Sequence, residues 1–199
     1  MAGNAVVHLI DDDEAVRRAL AFLLGTAGLA VKVYESATLF LEKFDDSQTG
    51  CIVTDVRMPG MDGIQLLRRL NESKTKFPVI VMTGHADVPL AVEAMKCGAV
   101  DFIEKPFSDD VLLVAIQSAL ASNSSPAGDL DQVRARIASL TPREKEVLDG
   151  LLAGHPNKTI AFDLGLSPRT VEVHRANVMT KMAASSLSEL VRMTLSAGG

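Results

Sequence analysis

Five short segments rich in β-forming residues dominate the first 120 residues, and a stretch with helical periodicity follows each of them. The segments are Val6–Ile10, Val31–Tyr34, Cys51–Thr54, Pro78–Met82 and Asp101–Glu104. The run Val79–Met82 is apolar at every position, which is typical of strands that are covered on both faces. Five such strand–helix units predict a parallel sheet with helices on both sides.

The last 70 residues carry helix-start signals instead of strand patterns. Capping boxes begin at Thr141 and Ser186, and Ser167-Pro168 supplies an N-cap followed by a proline at the first helical position. We expect a short helix over Asn157–Leu164, a tight glycine turn, and a long helix over Pro168–Met182. This arrangement predicts a helix-turn-helix.

The segment between the two patterns reads Ser-Asn-Ser-Ser-Pro-Ala-Gly and has no large apolar residue. We therefore expect a first domain, a flexible linker and a second domain at residues 1–122, 123–129 and 130–199. The net charge is −6 up to Gly128 and +1 beyond it. The acidic first part argues against nucleic-acid contact there, whereas the second part permits such contact.

The composition excludes a disordered chain, because 47% of the 199 residues are hydrophobic and only 23% are charged. The apolar runs are far shorter than the roughly 18 residues of a membrane-spanning helix. The start Met-Ala-Gly-Asn has neither the basic nor the apolar region of a signal peptide. We expect a folded cytoplasmic protein without membrane contact.

Polar residues stand at the ends of four predicted strands. Asp11 and Asp12 follow the first strand, Asp55 the third, Thr83 the fourth and Lys105 the fifth. Because parallel strands end at the same edge of a sheet, these side chains should converge in one crevice. Each residue type alone is common at a helix cap, in a strand or on a surface. Their joint occurrence at successive strand ends predicts a site.

Three carboxylates in one crevice raise one another's pKa unless a cation lies among them. Oxygen ligands favour a hard cation, so we expect Mg²⁺ to be held by Asp11, Asp12, Asp55 and the main-chain carbonyl of Arg57. Asp55 is the candidate nucleophile, because a carboxylate can accept a phosphoryl group as an acyl phosphate. Lys105 would supply positive charge to the phosphoryl oxygens, and Thr83 a hydroxyl donor.

The long helix of the second domain has an apolar face, Val171, Val178 and Met182, which we expect in the core. The opposite face, which could contact bases, carries Arg169, Glu172, Val173, Ala176 and Thr180. Thr170 is a further candidate DNA contact. Candidate phosphate contacts are Lys158, Arg175 and Lys181. The alternative is a solvated helix face, because helix-turn-helix units also serve in protein packing.

Two resemblances rest on these motifs. Residues 6–120 resemble the receiver domain of two-component response regulators, through Leu9–Glu14, Ile52–Gly63, Val81–Gly84 and Asp101–Phe107. Residues 140–195 resemble the LuxR-type output domain, through Leu140–Glu144, Pro156–Ala161 and Ser167–His174. The combination is typical of the NarL/FixJ class of transcription regulators.

This resemblance implies a flavodoxin-like (βα)5 receiver, with a doubly wound parallel sheet, followed by a small all-α helix-turn-helix domain. It implies phosphorylation of Asp55 by a sensor histidine kinase and a cis bond between Lys105 and Pro106. It also implies a switch, in which Thr83 moves toward the phosphoryl group and Phe102 changes rotamer. Operator DNA and RNA polymerase are the further partners implied, and the most similar members of the class control nitrogen-fixation genes.

Two couplings between the domains are open. In the first, phosphorylation makes a face with Val92, Lys96, Asp101 and Phe102 self-complementary, so that two chains pair and bind two half-sites of DNA. In the second, the acidic receiver covers the DNA-binding helix until it is phosphorylated. We expect both to contribute and dimerisation to be the larger effect.

An aspartyl-phosphate enzyme is the alternative function, since the same crevice could turn over a small phosphoester. Such an enzyme needs a second acid to protonate the leaving group, but two residues after Asp55 the chain has Arg57, and it has no cap over the crevice. Sequestration of a protein without DNA binding is a weaker third interpretation, because it needs no groove-sized helix. We expect a regulator rather than an enzyme.

Overall fold

The computed structural model of the chain describes residues 5–45, 49–73, 77–84, 88–122 and 130–197. Its contacts divide the chain into two units, the first drawn from residues 1–85 and 97–125 and the second from residues 86–96 and 126–199. The predicted linker at 123–129 lies outside the described residues.

A five-stranded parallel sheet forms the centre of the first unit. Its strands are β1 (Val6–Ile10), β2 (Ala30–Tyr34), β3 (Gly50–Asp55), β4 (Val79–Thr83) and β5 (Asp101–Glu104). The strands lie in the order β2-β1-β3-β4-β5, and every neighbouring pair is parallel. The predicted doubly wound α/β fold is confirmed, with β3 at the middle of the sheet.

Ten helices accompany the sheet in the described part of the chain. They are α1 (Glu14–Thr26), α2 (Ala37–Lys43), α3 (Gly63–Glu72), α4 (Val88–Lys96), α5 (Asp109–Ser122), α6 (Leu130–Ala138), α7 (Pro142–Leu152), α8 (Asn157–Leu164), α9 (Pro168–Met182) and α10 (Leu187–Ala197). None of these helices is long and apolar enough to cross a membrane. The contacts of α4 group it with the second unit, whereas the sequence predicts it in the first domain.

Side chains alternate between the two faces of the sheet, and each face has its own core. On one face, strand residues such as Val53 pack with residues of α1 and α5, including Leu24 and Ile116. On the other face, the rings of Tyr34, Phe40, Phe44 and Phe77 surround the buried His8. All six residues of β3 are buried, as expected for a strand with helices on both sides.

Helices α1 and α2 are capped at their starts by the side chains of Asp13 and Ser36. Asp13 accepts from the amides of Ala15 and Val16, and Ser36 from the amide of Leu39. These bonds satisfy amides that the first turn of a helix leaves without partners. They fix where the chain leaves the sheet edge and enters α1 and α2.

The second unit contains the predicted helix-turn-helix. Gly165 ends α8 with φ 65°, a left-handed conformation that glycine adopts without strain, and Ser167 caps α9 through the amide of Thr170. Helix α9 contacts α7 and α8. Its apolar residues Val171, Val178 and Met182 are fully buried, as the sequence predicts.

The two predicted capping boxes differ in the structure. The box between Thr141 and Glu144 is complete. At the start of α10, Ser186 Oγ accepts from the amide of Glu189, but the Glu189 carboxylate bonds one residue further back, to the amide and hydroxyl of Ser185. The box predicted at Ser186 is therefore only half formed, because Ser185 offers that carboxylate two donors instead of one.

Candidate functional site

The carboxyl edge of the sheet brings Asp11, Asp55 and Lys105 into direct contact. Lys105 Nζ donates to Asp55 Oδ1 at 2.5 Å and to Asp11 Oδ2 at 2.9 Å. Asp55 is 9% exposed and Asp11 is 1% exposed. The buried carboxylates of Asp11 and Asp55 therefore both face the ammonium group of Lys105. Asp11 follows β1, on one side of β3, and Lys105 follows β5, on the other side.

Backbone bonds beyond the strand ends hold these residues in place. The amide of Val56 donates to the carbonyl of Met82 at 2.8 Å, and the amide of Lys105 donates to the carbonyl of Thr83 at 2.7 Å. These bonds continue the sheet pairing by one residue at the edge that carries the site. The bond between Lys105 and Pro106 is cis, as the sequence resemblance implies.

Each buried carboxylate also accepts a backbone amide. Asp55 Oδ2 accepts from the amide of Arg57 at 2.7 Å, and Asp11 Oδ1 accepts from the amide of Asp13 at 2.9 Å. One oxygen of each carboxylate is thus bound to the turn that follows its strand, and the other oxygen is bound to Lys105. This arrangement fixes the orientation of both groups.

The electrostatics of the site follow from burial and from this ammonium group. Burial raises the pKa of Asp55, and Asp11 adds to the effect, while Lys105 and the amide of Arg57 oppose it without cancelling it. Burial alone would lower the pKa of Lys105, but its hydrogen bonds to Asp55 and Asp11 outweigh burial and raise it. Lys105 is therefore held in its charged form beside the candidate nucleophile.

The predicted magnesium ligands are consistent with a hard cation in their chemistry. Asp11, Asp12 and Asp55 offer oxygen atoms alone, and two of them face a common point. Asp12 is exposed at the rim. Within the described ranges, no group of three His, Cys, Asp or Glu side chains is already gathered as a metal site. A cation here would share Asp11 and Asp55 with Lys105, which is bonded to both.

The predicted switch residues lie at the same end of the sheet as the site, and their hydrogen bonds in the described structure go to residues other than Asp55. Thr83 is buried at the end of β4, and its hydroxyl makes a long 3.5 Å bond to the carbonyl of Gly84. Phe102 is half-buried in β5, and its amide donates to Asp101 Oδ1.

Two residues of the site do not stand at strand ends and were not predicted. Arg17 of α1 donates from Nη1 to the main-chain carbonyl of Asp11 at 2.6 Å. A Cβ atom at Gly63 would lie 2.4 Å from the carbonyl oxygen of Asp55, so α3 starts in direct contact with the backbone of the nucleophile. The repeated glycines in Pro59-Gly60-Met61-Asp62-Gly63 were the available signal for the second of these contacts.

The predicted pairing face is only partly on the surface. Lys96 is exposed, and Asp101 and Phe102 are half-buried. Val92 is 2% exposed, so it is not available to a second chain in this conformation.

On α9, the residues predicted to read bases form a continuous exposed surface. Arg169, Glu172, Val173 and Ala176 line one open groove. Val173 is 56% exposed although it is apolar. Thr170, by contrast, is half-buried and its hydroxyl is bonded to Ser167 Oγ.

The residues predicted to contact phosphate are placed differently from one another. Lys158 is exposed at the start of α8, and Arg175 is half-buried beside the groove. Lys181 instead donates to Glu144 Oε2 at 2.7 Å, and Glu144 is 4% exposed. The ammonium group of Lys181 is used within the second unit, where it neutralises a buried carboxylate, so the structure does not support a free phosphate-binding lysine at this position.

Comparison with known proteins gives one consistent result. Residues 7–117 match the response regulator receiver domain, and residues 138–194 match the luxR family of bacterial regulatory proteins. The transcriptional regulatory protein FixJ of Bradyrhizobium diazoefficiens is 54% identical over 202 residues, which cover 100% of this chain and 98% of that protein. FixJ of Azorhizobium caulinodans is 57% identical over 201 residues, covering 100% and 95%.

Solved structures agree over nearly the whole chain. The crystal structure of full-length FixJ from B. japonicum is similar with a TM-score of 0.57 and 52% identity, covering 98% of this chain and 97% of that one. The response regulator StyR is similar with a TM-score of 0.58 and 40% identity, covering 98% and 100%.

Proposed function

The chain belongs to the NarL/FixJ class of response regulators, which are transcription regulators rather than enzymes, and we propose that Asp55 is its phosphoacceptor. A sensor histidine kinase is the proposed donor. The observation that carries the proposal is the bond from Lys105 Nζ to Asp55 Oδ1 at the centre of a buried acidic crevice. The raised pKa of Lys105 keeps a positive charge where the phosphoryl oxygens would arrive.

In the proposed reaction, an Asp55 carboxylate oxygen attacks phosphorus and forms the acyl phosphate bond, while the bond from phosphorus to the imidazole nitrogen of the donor breaks. Asp11, Asp12, Asp55 and the carbonyl of Arg57 would hold Mg²⁺, which supplies neutralisation of the phosphoryl charge. Lys105 turns from the carboxylate to a phosphoryl oxygen. Thr83 then donates its hydroxyl to the same group, and Phe102 follows with a change of rotamer.

Asp55→Asn tests this assignment, because it keeps the shape of the side chain and removes the anionic nucleophile. We expect no incorporation of labelled phosphate from acetyl phosphate with Mg²⁺. Asp110→Asn, at an exposed position in the first turn of α5, is the matched control and should label like the wild type. Wild-type labelling of Asp55→Asn would contradict the proposal.

For the second domain we propose that α9 enters the major groove of operator DNA with its exposed residues Arg169, Glu172, Val173 and Ala176. Arginine pairs with guanine, a carboxylate accepts from the amino group of cytosine, and small apolar side chains contact the thymine methyl. These roles suit Arg169, Glu172 and Val173 with Ala176. Lys158 and Arg175 are proposed for phosphate contacts, and Thr170 supports the helix start.

Two alanine variants separate the proposed roles. Arg169→Ala should weaken binding by about 1–3 kcal/mol and relax the preference at one base pair, whereas Lys158→Ala should weaken binding to all sequences alike. Affinity measured on a set of single-base operator variants distinguishes these outcomes. Equal and sequence-independent losses would mean that α9 is oriented differently.

We propose that the first domain ends at residue 122 and the second begins at residue 130. Regulation is proposed to proceed by dimerisation of the phosphorylated chain. Pairing makes the second half-site contact intramolecular, which raises the affinity for paired half-sites by roughly 10² to 10⁴. Lys96→Glu should prevent both phosphate-induced pairing and tight binding, as measured by light scattering and DNA titration. Tight binding by a phosphorylated monomer would favour masking of α9 instead. Nitrogen-fixation genes are the proposed target, by resemblance to the class members that control them.

A further inference from the structure

The turn between β1 and α1 carries two of the proposed cation ligands, and one side chain outside the crevice holds it. Arg17 is half-buried in α1, six residues after Asp11. Its Nη1 donates to the main-chain carbonyl of Asp11 at 2.6 Å. A hydrogen bond from a charged donor is among the stronger ones available to a carbonyl group.

The amide group of Asp11, which faces β2, is held less tightly than its carbonyl group. The amide of Asp11 reaches the carbonyl of Tyr34 across the sheet at 3.3 Å, which is long for such a bond. The backbone of Asp11 thus lies between a weak bond to β2 and a short bond to Arg17. Without the guanidinium group, the position of Asp11 would depend on this long bond and on the bonds of its carboxylate to the amide of Asp13 and to Lys105.

The adjacent arginine shows that helical position alone does not explain this contact. Arg18 belongs to the same helix and carries the same charge, but its side chain is 74% exposed, and its ion pair in the described part of the chain is with Glu14, at 3.6 Å. Arg17 lies on the side of α1 that faces the site, and Arg18 lies on the solvent side. Replacing Arg17 or Arg18 by the same neutral residue therefore changes the net charge equally, but only the first replacement removes the contact with Asp11.

We infer that Arg17 is a positioning residue for phosphorylation: it fixes the β1–α1 turn so that Asp11 and Asp12 present their carboxylates to the cation and to Asp55. The inference rests on the proposed function of Asp55. Arg17 contacts the main chain of Asp11, so its positive charge orders the turn without occupying the Asp11 carboxylate, which is bonded to Lys105 in the crevice. Groups that orient ligands in this way affect metal affinity without being ligands themselves.

Three full-length variants test the inference: Arg17→Met, Arg17→Lys and Arg18→Met. Calorimetric titration with Mg²⁺ alone measures affinity, and labelled acetyl phosphate at saturating Mg²⁺ measures the rate of labelling. Arg17→Met should weaken Mg²⁺ binding by about tenfold. Arg17→Lys retains a charged donor and should recover part of that loss. Arg18→Met removes the same charge and should bind like the wild type.

The results distinguish this inference from the function on which it rests. Equal Mg²⁺ affinity in Arg17→Met and Arg18→Met would overturn the role of Arg17, even if the wild type is labelled normally. Failure of the wild type to take up label would overturn the proposed function instead. Should Arg17→Met not fold, Arg17→Gln takes its place, because a wild-type Mg²⁺ affinity after loss of the charged donor would refute the positioning role.

Discussion

Replacing Gly63 by alanine should move the phosphoacceptor, because the start of α3 is in contact with its backbone. The added Cβ would lie 2.4 Å from the carbonyl oxygen of Asp55 and 3.1 Å from Cα of Val56. The first distance is about 1 Å shorter than the roughly 3.5 Å at which non-bonded atoms are most stable. Both neighbours are backbone atoms, so the strain cannot be relieved by rotation of a side chain.

The magnitude follows from two opposing effects. Overpacking of a close-packed site costs about 1–3 kcal/mol, and the better helix propensity of alanine returns about 0.5–1 kcal/mol. We expect a net loss of about 1–2 kcal/mol in the stability of the first unit. A displacement of about 1 Å at the nucleophile should also slow labelling by up to about 10²-fold.

Gly25→Ala is the matched control, because nothing lies within 4 Å of the corresponding Cβ in α1. This variant should gain about 0.5–1 kcal/mol from helix propensity alone. Urea unfolding followed by circular dichroism measures stability, and labelled acetyl phosphate measures the rate. If Gly63→Ala is as stable as Gly25→Ala and is labelled at the wild-type rate, the contact with Asp55 does not position the nucleophile.

Three further predictions concern stability. Burial, with a smaller effect from Lys32, lowers the pKa of His8 to about 4. Because His8 is protonated at a higher pH in the unfolded chain, the free energy of unfolding should fall as the pH drops from 6.5 toward 4. His8→Phe should remove this pH dependence, as measured by urea unfolding. The hydrogen bond from Lys181, with those at Thr141, lowers the pKa of Glu144 to about 2. The ionised Glu144 should therefore stabilise the fold above pH 4.5, and this stabilisation should be lost as the pH falls toward 2. Glu144→Gln should reduce that loss of stability in acid. Ala183 ends α9 with φ 52°, a conformation that strains any residue with a Cβ, so Ala183→Gly should raise the thermal midpoint, by a net gain of about 0.5 kcal/mol.

The sequence predicted those parts of the structure that depend on local pattern. Parallel strands end at one edge, so Asp55 and Lys105 could be brought together from their positions after β-rich runs. Cap residues such as Thr141 identified helix starts, because a side chain there bonds to an amide three residues away.

Contacts made across the fold were not predicted. Lys181 pairs with Glu144, 37 residues earlier in the chain, and no spacing rule connects the two. Arg17 reads as one of two adjacent helix arginines until the direction of α1 is known. Val92 reads as an exposed helix residue, yet it is buried. In each case, packing between elements decided the environment of the side chain.

The central place of β3 has a consequence for how firmly the backbone of the phosphoacceptor is held. The edge strand β2 is largely exposed and pairs on one side, whereas β3 pairs with both β1 and β4 and is buried throughout. Local opening begins at such edges and reaches central strands last, so the amide protons of β3 should exchange with solvent most slowly in the sheet. A phosphoryl group on Asp55 would therefore be carried by the segment that opens least often, and opening of β2 would leave the backbone of the phosphoacceptor in place.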